Sequence, residues 1–193
     1  MCSRFFIDKK WNDTIGNMKR VLGPCFDTNF NPRDIHPTEY TFVLSGNRGR
    51  MEMSQMRWGY PGIQGGVIFN ARAESVFEKS LFRCGMERGR IVIPASGFYE
   101  WNAKKEKNIF TRPDGHVLFF AGIYSRFEAG DRFVILTTAA NESVQMVHDR
   151  MPLILEEDQL EEWIFALEKA ETLLKQIPVM LCRESEYEQL SFF

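Results

Sequence analysis

The 193-residue chain sets 24 Lys and Arg against 26 Asp and Glu, a net charge of -2, and is 44% hydrophobic with 17 Phe. That composition excludes a disordered chain, which lacks the aromatic side chains that offset ordering entropy, and excludes a generally basic coat for nucleic acid, so any contact with phosphate has to be local. A chain of this size buries one core without needing a second; its charged start, MCSRFFIDKK, is unlike a signal peptide, and no apolar stretch approaches a membrane span of roughly 20 residues, so a single cytosolic domain over 1–193 is expected.

In chain order, alternating and β-branched runs predict strands at Glu39 to Leu44, Met51 to Trp58 and Gly66 to Phe69. Ser75-Val76-Phe77-Glu78 fits a capping box, and Val76, Phe77, Leu81 and Cys84 form an apolar stripe before Gly85, which predicts a short helix starting just after Glu74. Asn70 and Arg72 then fall in the strand-to-helix connection, where side chains can face a ligand. Strands follow at Arg90 to Pro94 and Phe98 to Trp101. Lys107 to Arg112, His116 to Tyr124 and Arg132 to Thr138, separated by Pro113-Asp114-Gly115 and by Glu128 to Asp131, predict a three-stranded antiparallel meander. A helix is expected from Asn141 to near His148, another around Leu160, Trp163, Ile164 and Leu167, and a last one around Leu173, Leu174 and Ile177 before Pro178. The expected class is α+β: one domain with a curved, mixed, largely antiparallel, barrel-like β-sheet flanked by short helices.

Cys2, Cys25, Cys84 and Cys182 contain no C-x-x-C pair and His36, His116 and His148 are scattered, so neither a metal site nor a cofactor is expected. Cys25, Cys84 and Cys182 read as small buried apolar side chains. Cys2 differs, because removal of Met1 by an aminopeptidase turns it into an α-amine beside a thiol. The amine can attack an aldehyde to give an imine and the thiol can close a thiazolidine ring; by itself the dipeptide reads more readily as an inert thiol at a common position.

Gly97-Phe98-Tyr99-Glu100-Trp101 places a carboxylate among aromatics, where burial would raise its pKa and suit it to proton transfer. The same run reads as an edge-strand Glu facing water, which the segment alone favours. His148-Asp149-Arg150 brings an acid/base group, a carboxylate and a guanidinium to a helix-to-strand corner where the helix end would favour charged His148; a structural histidine is the plainer alternative. Asn70-Ala71-Arg72 reads as a helix approach, or as an amide that orients a reactant beside an Arg that holds phosphate.

Taken in order, Met-Cys-Ser-Arg-Phe at the start, Arg57-Trp58-Gly59-Tyr60, Phe69 to Glu74, Pro94 to Trp101, Leu136 to Ala140 and His148 to Leu153 resemble the SOS response-associated peptidase (SRAP) family over most of the chain. The resemblance implies that Cys2 is a crosslinking nucleophile toward abasic sites in single-stranded DNA, that Glu100 helps open the abasic sugar and handles protons, and that Asn70 and His148 orient and protonate the intermediate. It further implies that Arg4, Arg72 and Arg150 contact phosphate as a local basic patch, and that Trp58 and Trp101 stack on or wedge between bases. Three places depart from the family pattern: Ser3 after the nucleophile, Asp34-Ile35-His36-Pro37 in a strand-contacting loop, and the C-terminal run from Arg183. Two other activities fit some of these residues, a cysteine-type (auto)peptidase and a non-covalent reader of modified cytosine.

Overall fold

The computed structural model describes residues 2–18, 31–62 and 65–185. Cys25, Met1 and the end of the C-terminal run lie outside them. The strands are β1 (Phe5–Ile7), β2 (Arg33–Ile35), β3 (Tyr40–Asn47), β4 (Arg50–Trp58), β5 (Tyr60–Pro61), β6 (Val67–Ile68), β7 (Asn70–Arg72), β8 (Arg90–Ala95), β9 (Gly97–Trp101), β10 (Lys107–Thr111), β11 (Leu118–Phe127), β12 (Gly130–Ala139), β13 (Arg150–Pro152), β14 (Ile154–Leu155) and β15 (Cys182–Ser185). The helices are α1 (Lys9–Asn17), α2 (Ser80–Arg88), α3 (Leu160–Phe165) and α4 (Leu167–Leu173), with short 3-10 turns at Ala73–Ser75 and Glu157–Gln159.

Five strands close on themselves: β12 pairs in parallel with β4, and the antiparallel pairs β4–β3, β3–β8, β8–β11 and β11–β12 complete the ring. Closure at Arg57 and Trp58 puts Val43, Leu44, Ile91, Val92, Ile93, Ile123, Val134 and Leu136 out of water. A second sheet runs β15-β10-β9-β1-β2 and lies against the barrel through aromatic rings, Phe5 on Trp58 (5.1 Å between centroids) and on Phe120 (5.9 Å), Phe98 on Phe120 (6.0 Å). The expected α+β domain with a curved, mixed, mainly antiparallel and barrel-like sheet is the observed one.

Strand β12 organises the neighbourhood that matters. One edge carries β4 and then β7, in parallel register Ile135↔Asn70 to Thr137↔Arg72; the other carries β11 and then β13, with Ala139↔Arg150. Asn70 and Arg72 therefore sit in a strand rather than in a connection. Three residues carry too little periodicity to announce a parallel strand whose partner lies 65 positions away in the register Ile135↔Asn70.

Other expectations change for local reasons. The meander is split: β11 and β12 form a hairpin, but β10 pairs with β9 and β15 in the other sheet, because the turn after β10 carries the chain between layers. No capping box forms at Ser75; the α-helix begins at Ser80 and runs through Gly85 to Arg88. Gly85 is a packing residue here, since a Cβ would stand 3.1 Å from Tyr124 O and 3.2 Å from Ile123 Cβ. Asn141 to His148 forms turns rather than a helix: Asn141 accepts from Ser143 N and Oγ while its Nδ2 donates to Pro178 O and Val179 O, which ties the segment to the chain that follows α4. The last helix spans Leu167–Leu173, so Ile177 lies beyond it and is 83% exposed. Cys84 and Cys182 are exposed, not buried. The sequence reading also passed over α1, although Asp8 caps it by accepting from Lys10 N and Trp11 and Ile15 give it a buried i, i+4 face.

Candidate active site

The β1–β9 register Phe5↔Phe98 and Phe6↔Gly97, extended by Tyr99 N donating to Arg4 O (3.0 Å), lays the chain start along the end of β9. Glu100 shares the inward face of β9 with Phe98 and is 3% exposed; the water-facing reading does not hold. Cys2 is wholly buried, with Sγ 3.8 Å from Arg4 O. Burial pushes the Cys2 thiol well above its ordinary pKa, and the nearby Glu100 charge pushes it further the same way. The Glu100 carboxyl is likewise raised above 4.5, chiefly because burial disfavours its charged form. Two groups that ionise easily in water are both biased toward their neutral forms.

Asn70, on β7, donates Nδ2 to Cys2 O at 2.7 Å and so pins the backbone at Cys2. Its Oδ1 is buried and meets no hydrogen-bond partner among the described residues, which leaves one acceptor for an incoming group. The charge of Asp149 also raises the Glu100 pKa, which sets the loop holding His148 on the same side as Glu100. His148 Nδ1 accepts from Arg150 N at 3.0 Å and lies 2.8 Å from Asp149 Oδ1. Nδ1 therefore faces both a donor and an acceptor: with a lone pair it accepts from the Arg150 amide, and with a proton it donates to Asp149. Burial lowers the His148 pKa below 6.5, which favours the neutral ring. The helix end expected to favour the charged form is absent.

The arginines are less available than the sequence implied. Arg150 grips Glu74 with both terminal nitrogens (2.6 and 2.8 Å) and donates to Thr137 O, which holds the Glu74 carboxyl below its usual range. Arg4 pairs with Asp34 through Nε (2.9 Å) and Nη2 and lies over the Tyr99 ring, whose hydroxyl also donates to Asp34 (3.0 Å). Arg72 is exposed. Phosphate would have to compete with Glu74 and Asp34, so the expected patch of three arginines is reduced in this structure to Arg72.

Trp58 corrects an expectation outright. It has no exposed surface, donates Nε1 to Phe69 O (2.8 Å) and stacks on Phe133 in the core, so it presents no face to a base. Trp101 is half-buried beside Tyr99 (6.4 Å between centroids). The sequence reading missed Asn108, 2% exposed and directly across β10 from Glu100, and it missed Asp34 and Glu74 as arginine partners. Glu74 stood in the quoted Phe69 to Glu74 run and Asp34 in the Asp34 to Pro37 departure; nothing local marked Asn108. Among the described residues no three His, Cys, Asp or Glu side chains converge to hold a metal ion, and no helix is long and apolar enough to cross a membrane.

Comparison with known proteins follows the same residues. Residues 1–191 match the family described as SOS response associated peptidase (SRAP). The abasic site processing protein YoqW of Bacillus subtilis is 28% identical over 182 residues, covering 85% of this chain and 80% of that protein, and YedK of Escherichia coli is 29% identical over 178 residues, covering 85% and 79%. A phage-related protein from Bordetella bronchiseptica has the same fold, with a TM-score of 0.77 at 22% identity over 96% of this chain and 94% of that one. A match that runs from the buried Cys2 through Asn70, Glu100 and His148 places the chain in the SOS response associated peptidase (SRAP) family.

Proposed function

We propose that this protein captures abasic sites in single-stranded DNA as a covalent thiazolidine formed on Cys2 after Met1 is removed. The observation that carries the reading is the convergence of Cys2, Asn70 and Glu100. The names of the relatives, abasic site processing proteins, supply the substrate class.

The protonation states suggest the order of events. The thiol is held protonated, so the freed α-amine attacks the C1′ aldehyde first; loss of water gives the imine. Adding sulfur to the imine carbon then forms the S–C bond, takes one proton from sulfur and delivers one to nitrogen. A carboxyl with a raised pKa can accept and return that proton near neutral pH, which is the role we assign to Glu100. Asn70 holds the Cys2 carbonyl so that amine and thiol address one carbon, and His148 can give a proton to a leaving oxygen. Arg72 reaches phosphate directly, while Arg4 and Arg150 do so by exchanging Asp34 and Glu74 for it.

The peptidase reading needs an activated thiolate, and burial together with the Glu100 charge opposes one. A modified-base reader loses one of its two aromatic surfaces, because Trp58 is in the core. The test is incubation with single-stranded DNA bearing one abasic site, read by denaturing gel and intact mass. The expected product is a band whose mass fits a chain without Met1, joined to DNA with loss of one water; its persistence in Cys2→Ala would sink the reading.

A further inference from the structure

Arg90 opens β8, and Glu100 stands ten residues later in β9, an extended path of at most about 33 Å. Arg90 is 6% exposed, and its guanidinium is held by carbonyls: Nε by Trp163 O (2.6 Å), Nη1 by Met86 O (2.5 Å) and Glu87 O (3.1 Å), Nη2 by Ile164 O (3.1 Å). These carbonyls lie at the C-terminal ends of α2 and α3, where helix dipoles are negative. A fixed positive charge therefore sits inside the protein without an ion-pair partner among the described residues.

Above it lies a pocket of about 240 Å³, lined by Arg48, Arg88, Arg90, Tyr124 and Phe165, with Glu87 the one carboxylate in its lining. Arg88 and Tyr124 also line an adjoining pocket of about 690 Å³ that carries Arg126, which pairs with Asp131. Arg48 and Arg88 are exposed, and neither makes a side-chain hydrogen bond or ion pair with any described residue. The Phe165 ring is 42% exposed and Tyr124 is half-buried.

Arg48 is also held in an unusual backbone conformation. Asn47 pairs with Arg50 across the β3–β4 hairpin, and the two residues between them, Arg48 (φ 49°) and Gly49 (φ 77°), both have positive φ. That two-residue turn favours Asn-Gly; an arginine in its first position is kept there against the steric preference of an L-residue, and such an outlier points to use of the side chain.

We propose that this face is a second single-stranded nucleic-acid contact. Arg48 and Arg88 neutralise phosphates of the strand whose abasic residue is held at Cys2, while Tyr124 and Phe165 offer ring surface to its bases. The inference rests on the reading of the chain as a DNA-binding protein but not on the covalent chemistry.

The test compares single strands of about 5 and about 40 nucleotides, each with one abasic site, by equilibrium binding across a salt series and by crosslinking rate. Arg48→Asn combined with Arg88→Gln is expected to flatten the log K against log salt slope for the long strand by about 1.4, at about 0.7 per released contact. Short-strand affinity and crosslinking rate stay unchanged. Arg48→Asn alone should melt no lower than the parent, because Asn suits the turn. An unchanged long-strand slope overturns the proposal, as does equal weakening on both lengths. Competition by polyglutamate for this face with DNA affinity untouched also overturns it, in favour of an acidic protein partner. Loss of crosslinking in the parent with a steep long-strand slope that the double variant flattens overturns the chemistry and leaves this surface standing.

Discussion

Glu100 and Arg90 are both buried charged residues on the same stretch of chain, and they are buried for opposite ends. Arg90 spends its donors on four carbonyls of two helix termini, so its charge is fixed and its surroundings have no reason to change. Glu100 instead faces a thiol whose pKa it raises while its own is raised by burial, so a proton is held where small changes can move it. Burial alone does not mark a reactive group. What distinguishes the two is whether the neighbours satisfy one charge state or leave two within reach.

The largest test of that contrast is Glu100→Gln, which keeps shape and removes the titrating proton. Capture of abasic DNA in single turnover should slow by about 10²–10⁴-fold with the melting transition intact. A loss below about tenfold would make Glu100 a structural residue like Arg90. Next is Arg90→Met, expected to cost about 3 kcal/mol in urea unfolding, because buried carbonyls at about 1–3 kcal/mol each lose their donor. Its capture rate per folded molecule should stay at the parent value, and a fall in that rate would break the contrast from the other side. Asn70→Ala removes one hydrogen bond to Cys2 O, and should lower stability by about 1 kcal/mol and slow capture about fivefold.

The smallest effect is in pH. The folded carboxyl of Glu100 has a pKa above its ordinary 4.5, so the folded state holds a proton that the unfolded chain has released. Its contribution to stability is present below 4.5 and lost as pH rises through the folded value. Subtracting the Glu100→Gln stability curve from the parent's should therefore give a difference that declines with pH in that window. His148 acts with the opposite sign: its pKa is lowered, so the parent loses stability relative to His148→Gln as pH falls below 6.5. Flat difference curves in urea melts would remove the burial argument for both groups.

Parts of this were legible in the sequence. The strand at Phe98 to Trp101 was legible, though not that Glu100 faces inward with Phe98, and the β11–β12 hairpin followed from its turn at Glu128 to Asp131. The turns after Asn141 were misread as a helix because an N-cap signal says where hydrogen bonding starts, not that it propagates; here the Asn141 side chain bonds to Pro178 and Val179, more than 35 positions away. Arg90 gave no sign of its role, since a lone arginine at the head of a strand looks like a surface residue until two helix ends arrive around it.

The sequence by itself determined the chemical identities: an amine and thiol latent at Cys2, a carboxyl among aromatics at Glu100, an amide at Asn70 and an imidazole at His148. These are local properties of residue type and short-range pattern. Only the tertiary structure decided which of them are usable together. Pairings 76 positions apart for Arg150 with Glu74 and 30 apart for Arg4 with Asp34 took up two of the three candidate phosphate arginines, and closure of the barrel took Trp58 into the core. Charge compensation and burial depend on what the fold brings near, and local pattern does not encode those long-range distances.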